Sequence, residues 1–216
     1  MLPVPKSAPP PSMILSNCGN KPFGLTFFLG LFLVYHAGWI ILLVGVLSIL
    51  SGYAYTTGPL PLAYNGLGDI FVFIFFGIVA TVGTYYVQSL HFSYFALFAS
   101  IPVGLLITNI LVVNNYRDAD EDKTKNKNTL AVIFGKVFSL IQYSVSIVVS
   151  YAVPVFVFFY FDKSIFVLLP YLSMPLAVKL IYELHTIEGE KLNDTLASTA
   201  KLSIIFSFLF AIGIVI

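Results

Sequence analysis

"NNYRDADEDKTKNKNTLAV", residues 114–132, decides how this chain is read. Asp118, Asp120, Glu121 and Asp122 put four of the chain's ten carboxylates into five consecutive positions. The sequence on either side of the stretch is long and apolar. Concentrated negative charge between two greasy segments is costly to place inside a bilayer. The stretch therefore marks a point where the chain leaves the membrane, and the same carboxylates are candidates for chemistry.

Composition sets the class. The chain has 216 residues, 58% hydrophobic and 10% charged, with a mean hydropathy of +0.94. Soluble domains carry about 25% charged residues. So much apolar surface cannot be hidden in one core, so the expected solvent is the lipid bilayer. The formal net charge of +1 identifies no partner, and no nucleic acid is expected as one. The single cysteine, Cys18, excludes an internal disulfide and a cysteine-based zinc site. The opening "MLPVPKSAPPPSMILSNCGNKPF" has no continuous apolar core and no small-residue cleavage site, so it does not read as a signal peptide. Five prolines before position 12 forbid a helix there, and residues 1–22 read as a disordered, proline-rich lead-in.

Hydropathy gives about seven spans, at roughly 23–37, 39–55, 68–88, 93–113, 131–160, 164–182 and 200–216. A tight hairpin at His36-Ala37-Gly38 joins the first two, and the long fifth span is expected to tilt or to project into water. The connecting loops then alternate between two sides. Lys6, Lys21, Arg117, Lys123, Lys125, Lys127, Lys136, Lys179, Lys191 and Lys201 share one side, and only Lys163 lies on the other. Such a bias marks the first side as cytosolic. All acidic residues except Asp162 follow the basic ones, and the middles of the spans are nearly free of ionisable groups. An ion pump or proton-coupled transporter would bury carboxylates at mid-membrane, and no inverted repeat is visible.

If the fourth helix continues through 114–122, then Asn114, Asp118 and Asp122 fall at i, i+4 and i+8 and share a face. Two carboxylates and an amide are hard oxygen ligands suited to Mg²⁺, which completes its shell with water and substrate phosphate. Arg117 and Lys127 are placed to meet the same phosphates. The i,i+4 pairs Arg117–Glu121 and Glu121–Lys125 are equally suited to holding a helix end. Taken alone, the stretch also reads as a solvated loop that fixes topology. His36, His91 and His185 are too scattered to form a metal cluster. Gly77 and Gly104 suit close helix packing better than ligand binding.

The whole string resembles the second aspartate-rich motif of the UbiA superfamily of membrane prenyltransferases. It is most similar to the branch that prenylates 1,4-dihydroxy-2-naphthoate on the way to menaquinone. Asn114, Asn115, Arg117, Asp118, Asp122, Lys127, Thr129, Leu130 and Ala131 stand in register with that pattern. Asn126 stands where the family usually has glycine, and it too tolerates a left-handed turn. A second block, residues 54–88, is similar to the family's Tyr-Thr-Gly-Gly-Pro loop and following span, with Asp69 in place of the commoner glutamate. A third, "EGEKLNDTLASTAKLSIIFSFL", is similar to the last loop and helix.

The resemblance implies an all-α, polytopic transmembrane bundle, here the last seven of nine spans. The enzyme it implies sits in the cytoplasmic (inner) membrane with its active-site loops on the cytosolic side. It implies transfer of a polyprenyl group from polyprenyl diphosphate to 1,4-dihydroxy-2-naphthoate, with Mg²⁺ as cofactor. Asp118, Asp122 and Asn114 are then the expected metal ligands, with Asp118, Asp122, Arg117 and Lys127 as the catalytic set. Asn114, Asn115, Tyr55, Tyr64 and Asp69 are the expected substrate contacts. The family's first aspartate-rich motif has no counterpart here, because no acidic residue lies between Met1 and Lys21. The isolated chain is accordingly expected to show weak or no transfer. Three explanations stay open: an incomplete record of a longer chain, half of a split enzyme with a complementary N-terminal fragment as partner, or a decayed paralogue. A non-catalytic bundle or scaffold, and a transferase with another acceptor such as homogentisate or 4-hydroxybenzoate, are the competing functional readings.

Overall fold

The computed structural model describes residues 26–56 and 61–216. The expected lead-in at 1–22 lies outside them. Among the described residues seven longer helical segments follow one another, with single turns at Leu62–Tyr64 and Leu130–Ile133, and no strand occurs. We label them α1 (Thr26–Ala37), α2 (Trp39–Thr56), α3 (Gly68–Ser89), α4 (Tyr94–Thr124), α5 (Lys136–Tyr160), α6 (Ile165–Thr186) and α7 (Gly189–Val215). The last five are long and apolar enough to cross a bilayer, whereas α1 and α2 are shorter apolar helices. The architecture is the expected polytopic helical bundle.

The chain divides within α2 into two compact units, Met1–Val46 and Leu47–Ile216. In the first, α1 ends at Gly38, whose φ of +83° is a conformation that favours glycine. The Gly38 N–H still bonds to Val34 O at 2.8 Å, and α2 restarts at the next residue. Phe28 and Trp39 turn most of their surface outward, as lipid-facing side chains do.

The second unit is built around α4, which carries the buried Leu106, Val112 and Val113. Tyr143 of α5, Leu180 and Leu184 of α6, and Leu202, Phe206 and Phe210 of α7 complete its core. Polar groups inside are paired locally: Tyr143 Oη meets Thr199 Oγ1 at 2.9 Å, and Tyr151 Oη meets Ser173 Oγ at 2.6 Å. Asn109 Nδ2 donates to the Tyr143 carbonyl at 3.1 Å. Such bonds satisfy groups that hydrocarbon would leave bare.

Glycine decides two contacts. A Cβ added to Gly77 of α3 would stand 2.5 Å from Gly104 Cα of α4, so the helices cross with backbone against backbone. This is the packing role expected of both residues. The crossing falls in a π-helical stretch, Phe73–Val79, within α3. A Cβ on Gly213 of α7 would lie 2.0 Å from the Phe166 carbonyl oxygen at the start of α6.

Three boundaries differ from expectation. The span 131–160 is not one helix. A single turn, Leu130–Ile133, is cut off by Gly135 at φ +85°, and α5 starts only at Lys136. At 25 residues Lys136–Tyr160 is still longer than the roughly 20 that a span needs. The final helix begins at Gly189 rather than near 200, because its polar first turns continue the apolar segment without a break. In α6, Ile165–Ser173 is a 3-10 helix containing Pro170, which cannot donate the next helical hydrogen bond, and α-helix resumes at Met174. Conversely α4 does run on through the acidic stretch to Thr124.

Candidate active site

Four segments of the second unit converge at one end of its bundle. They are the loop before α3, the end of α4 with the loop after it, the start of α5 and the start of α7. The two loops are joined by backbone: the Asn128 N–H donates to the Tyr64 carbonyl at 3.0 Å, and Asn65 pairs with Asn128 as an isolated parallel bridge. Asn126 takes the left-handed conformation expected of it, with φ +54°. That turn folds the chain back so that the Lys127 N–H reaches the Asp122 carbonyl at 2.9 Å. Gly66 has φ +73° and sits against Ile133, which a Cβ would meet at 2.8 Å.

The three aspartates of α4 are each held by a cation. Arg117 grips Asp118 with two parallel bonds, Nε to Oδ1 at 2.7 Å and Nη2 to Oδ2 at 2.8 Å. The same guanidinium donates to Asn114 Oδ1 at 2.9 Å and to Asn193 Oδ1 of α7. Lys127 Nζ pairs with Asp122 Oδ2 at 2.9 Å, and Asp122 is buried. Of the two expected helix-end pairs, Glu121–Lys125 forms. The Glu121 carboxylate beside it holds the Lys125 ammonium above the ordinary lysine range. The pair Arg117–Glu121 does not form; Arg117 turns instead to Asp118. Asp120 reaches across to Lys136 at the start of α5, 2.7 Å away.

Beside this face of α4 lies a cleft of about 140 Å³. Tyr55, Asp69, Asn114, Asn115 and Lys127 line it, so five of the residues singled out in the sequence come together. Asp69 is 5% exposed and sits in the first turn of α3. Asn115 Nδ2 donates to its Oδ1 at 3.2 Å and Gln142 Nε2 to its Oδ2 at 2.7 Å. Arg117, Asp118, Asp122 and Tyr64 do not line the cleft. Tyr64 is largely exposed and contributes its backbone carbonyl to the loop bridge.

The sequence reading gave no role to Gln142, Asn193 or the Thr129 side chain. Gln142 had a signal: it is an amide inside a long apolar segment, where an unpaired amide is costly and a partner is therefore expected. Thr129 is buried, lines the cleft, and its Oγ1 has no hydrogen-bond partner. Its register in the motif with Lys127, Leu130 and Ala131 was the signal that could have marked it.

The donor set fits a hard divalent cation in chemical type. Asp118 and Asp122 stand one helical turn apart, with the Asn114 amide oxygen one turn before. Asp118 already has both oxygens on Arg117, so a metal there would displace the guanidinium. Among the described residues no three His, Cys, Asp or Glu side chains converge. Asp118, Asp122 and Asn114 could supply part of the shell of an ion that takes the rest from phosphate oxygens and water.

The model of the UbiA prenyltransferase family matches residues 23–210. The chain is 34% identical over 178 residues to a 1,4-dihydroxy-2-naphthoate octaprenyltransferase of Haemophilus influenzae, covering 80% of this chain and 56% of that protein. It is 30% identical over 201 residues to the protein of the same name in Bacillus subtilis, covering 90% and 63%. Human UbiA prenyltransferase domain-containing protein 1 is 32% identical over 167 residues, covering 77% and 48%. The chain thus spans less than two thirds of the length of each of these curated relatives.

Proposed function

Because this chain belongs to the UbiA prenyltransferase family, we propose that it carries the diphosphate-binding end of an enzyme that transfers a polyprenyl group to an aromatic ring. The proposed donor is a polyprenyl diphosphate, the acceptor 1,4-dihydroxy-2-naphthoate and the metal Mg²⁺. The observation that carries this reading is the pairing of Asp118 with Arg117 and of Asp122 with Lys127 on one face of α4, beside a polar cleft. The names of the bacterial relatives supply the acceptor.

In this reading Asp118, Asp122 and the Asn114 amide oxygen hold the metal. When bound, Mg²⁺ neutralises charge on the diphosphate and so favours its departure. Arg117 and Lys127 exchange their carboxylate partners for phosphate oxygens and stabilise the negative charge that builds on the leaving group. Asn193 keeps the Arg117 guanidinium aimed while it changes partner. The apolar walls of the bundle accommodate the prenyl tail and exclude water from the allylic cation. The bias of Lys and Arg toward that end supports a cytosolic position for the site, in the inner membrane on this reading.

The test is transfer of a radiolabelled polyprenyl group by membranes containing the chain joined to the N-terminal spans of a full-length relative, with and without Mg²⁺. Asp118→Asn and Asp122→Asn are each expected to lower the rate at least about 100-fold, or about 2.7 kcal/mol of transition-state stabilisation. Undiminished transfer by the double variant would remove the metal role from this face. Transfer to 4-hydroxybenzoate or homogentisate, but not to the naphthoate, would reassign the acceptor.

A further inference from the structure

Asp69 is a buried carboxylate that forms no ion pair with any described residue. Its two recorded partners are neutral amides, Asn115 and Gln142. A carboxylate offers about four lone-pair positions, so two remain to be filled. A buried charge with spare acceptor capacity is expensive to maintain without a partner. The Thr129 hydroxyl on the same cleft is buried and makes no hydrogen bond, although it can both donate and accept. Gln142 turns its amide nitrogen toward Asp69, while its Oε1 is buried without a partner. The remaining wall includes Ala63, Leu111 and Leu130. The cleft measures about 140 Å³, and an engineered cavity of about 150 Å³ takes up benzene. Size, apolar wall and unfilled polar groups describe a place for one hydroxylated aromatic ring.

We propose that this cleft selects the acceptor by its ring hydroxyl, with Asp69 accepting the O–H hydrogen bond and the Thr129 hydroxyl donating to an oxygen of the same ligand. Gln142 and Asn115 are positioning residues that fix the Asp69 carboxylate across the cleft. The proposal rests on the prenyltransferase reading only in calling the ligand an acceptor. A site built to hydrogen-bond a hydroxyl rejects analogues that lack it far more strongly than an apolar pocket rejects a missing methylene. Replacing the hydroxyl with a methoxy group removes the donor, keeps the ring, and leaves Asp69 facing a group that cannot satisfy it.

The experiment uses two water-soluble fluorescent probes, 4-hydroxy-2-naphthoate and 4-methoxy-2-naphthoate, titrated into the full chain in lipid nanodiscs without any prenyl donor. The hydroxy probe is expected to bind at least tenfold more tightly. Asp69→Asn and Gln142→Leu are each expected to bring the two affinities within threefold by weakening only the hydroxy probe, and Asp69→Glu is expected to restore the preference. Thr129→Val removes a hydroxyl with no protein partner, so the fold should tolerate it, and it is expected to weaken both probes alike. Equal affinity for the two probes, no binding of either, or a preference that survives Asp69→Asn and Gln142→Leu would overturn the proposal. Prenyl transfer is measured separately, on the chain completed with the N-terminal spans of a relative. A preference without transfer by the completed chain would sink the enzyme reading alone, and transfer without a preference would sink this inference alone.

Discussion

One substitution made at two glycines of α3 should have opposite effects. At Gly77 a new Cβ would stand 2.5 Å from Gly104 Cα and 3.2 Å from Gly104 N. Ordinary contact begins near 3.4 Å, so Gly77→Ala must part α3 from α4 by about 0.9 Å at the crossing. The obstacle is backbone, which cannot rotate aside. Overpacking of this kind costs about 1–3 kcal/mol. Two turns on, Gly83 has nothing within 4 Å of the same added atom. There Ala gains helix propensity of up to about 1 kcal/mol and loses nothing. The assay is thermal unfolding in one detergent, read by helical circular dichroism for wild type and both variants. At about 2–4 °C per kcal/mol for a chain of this size, Gly77→Ala should melt roughly 2–12 °C lower. Gly83→Ala should melt at or slightly above wild type. If Gly77→Ala melts no lower than Gly83→Ala, the close crossing of α3 and α4 is not what holds these helices.

Two further outcomes follow from the site. Thr129→Val should stabilise the ligand-free protein by about 1 kcal/mol or more, because a buried hydroxyl without a partner forfeits its hydration; a lower melting temperature would show that the hydroxyl has a partner after all. Lys127→Met leaves the Asp122 side chain, 8% exposed, without its cation. Complete burial would make that loss about 3–5 kcal/mol, and the partial exposure of Lys127 reduces it to about 1–3 kcal/mol. Adding Asp122→Leu should recover most of the loss, and a double variant no more stable than Lys127→Met would contradict the ion pair.

The helical class and the positions of the long segments were legible because hydropathy is written over twenty residues at a time. Asn114, Asp118 and Asp122 share a face because α4 continues, and the spacing alone implied it. Boundaries set by one backbone angle were not legible in the same way. Gly135 cuts Leu130–Ile133 away from α5, and apolar content on both sides conceals the cut. Pairings between segments were also hidden. Nothing near Arg117 announces Asn193, 76 positions away, and nothing near Asp69 announces Gln142, 73 positions away. Helical periodicity assigns a side chain to a face but does not name what another helix brings to it.

The bridge between Asn65 and Asn128 ties two loops that the sequence keeps far apart. Neither loop can be lengthened or shortened by itself, because a one-residue change on either side would shift the Tyr64 carbonyl away from the Asn128 N–H. In the history of such a chain, insertions and deletions at these two places should therefore occur as matched events. A designer who grafts one loop from a relative will have to graft the other with it.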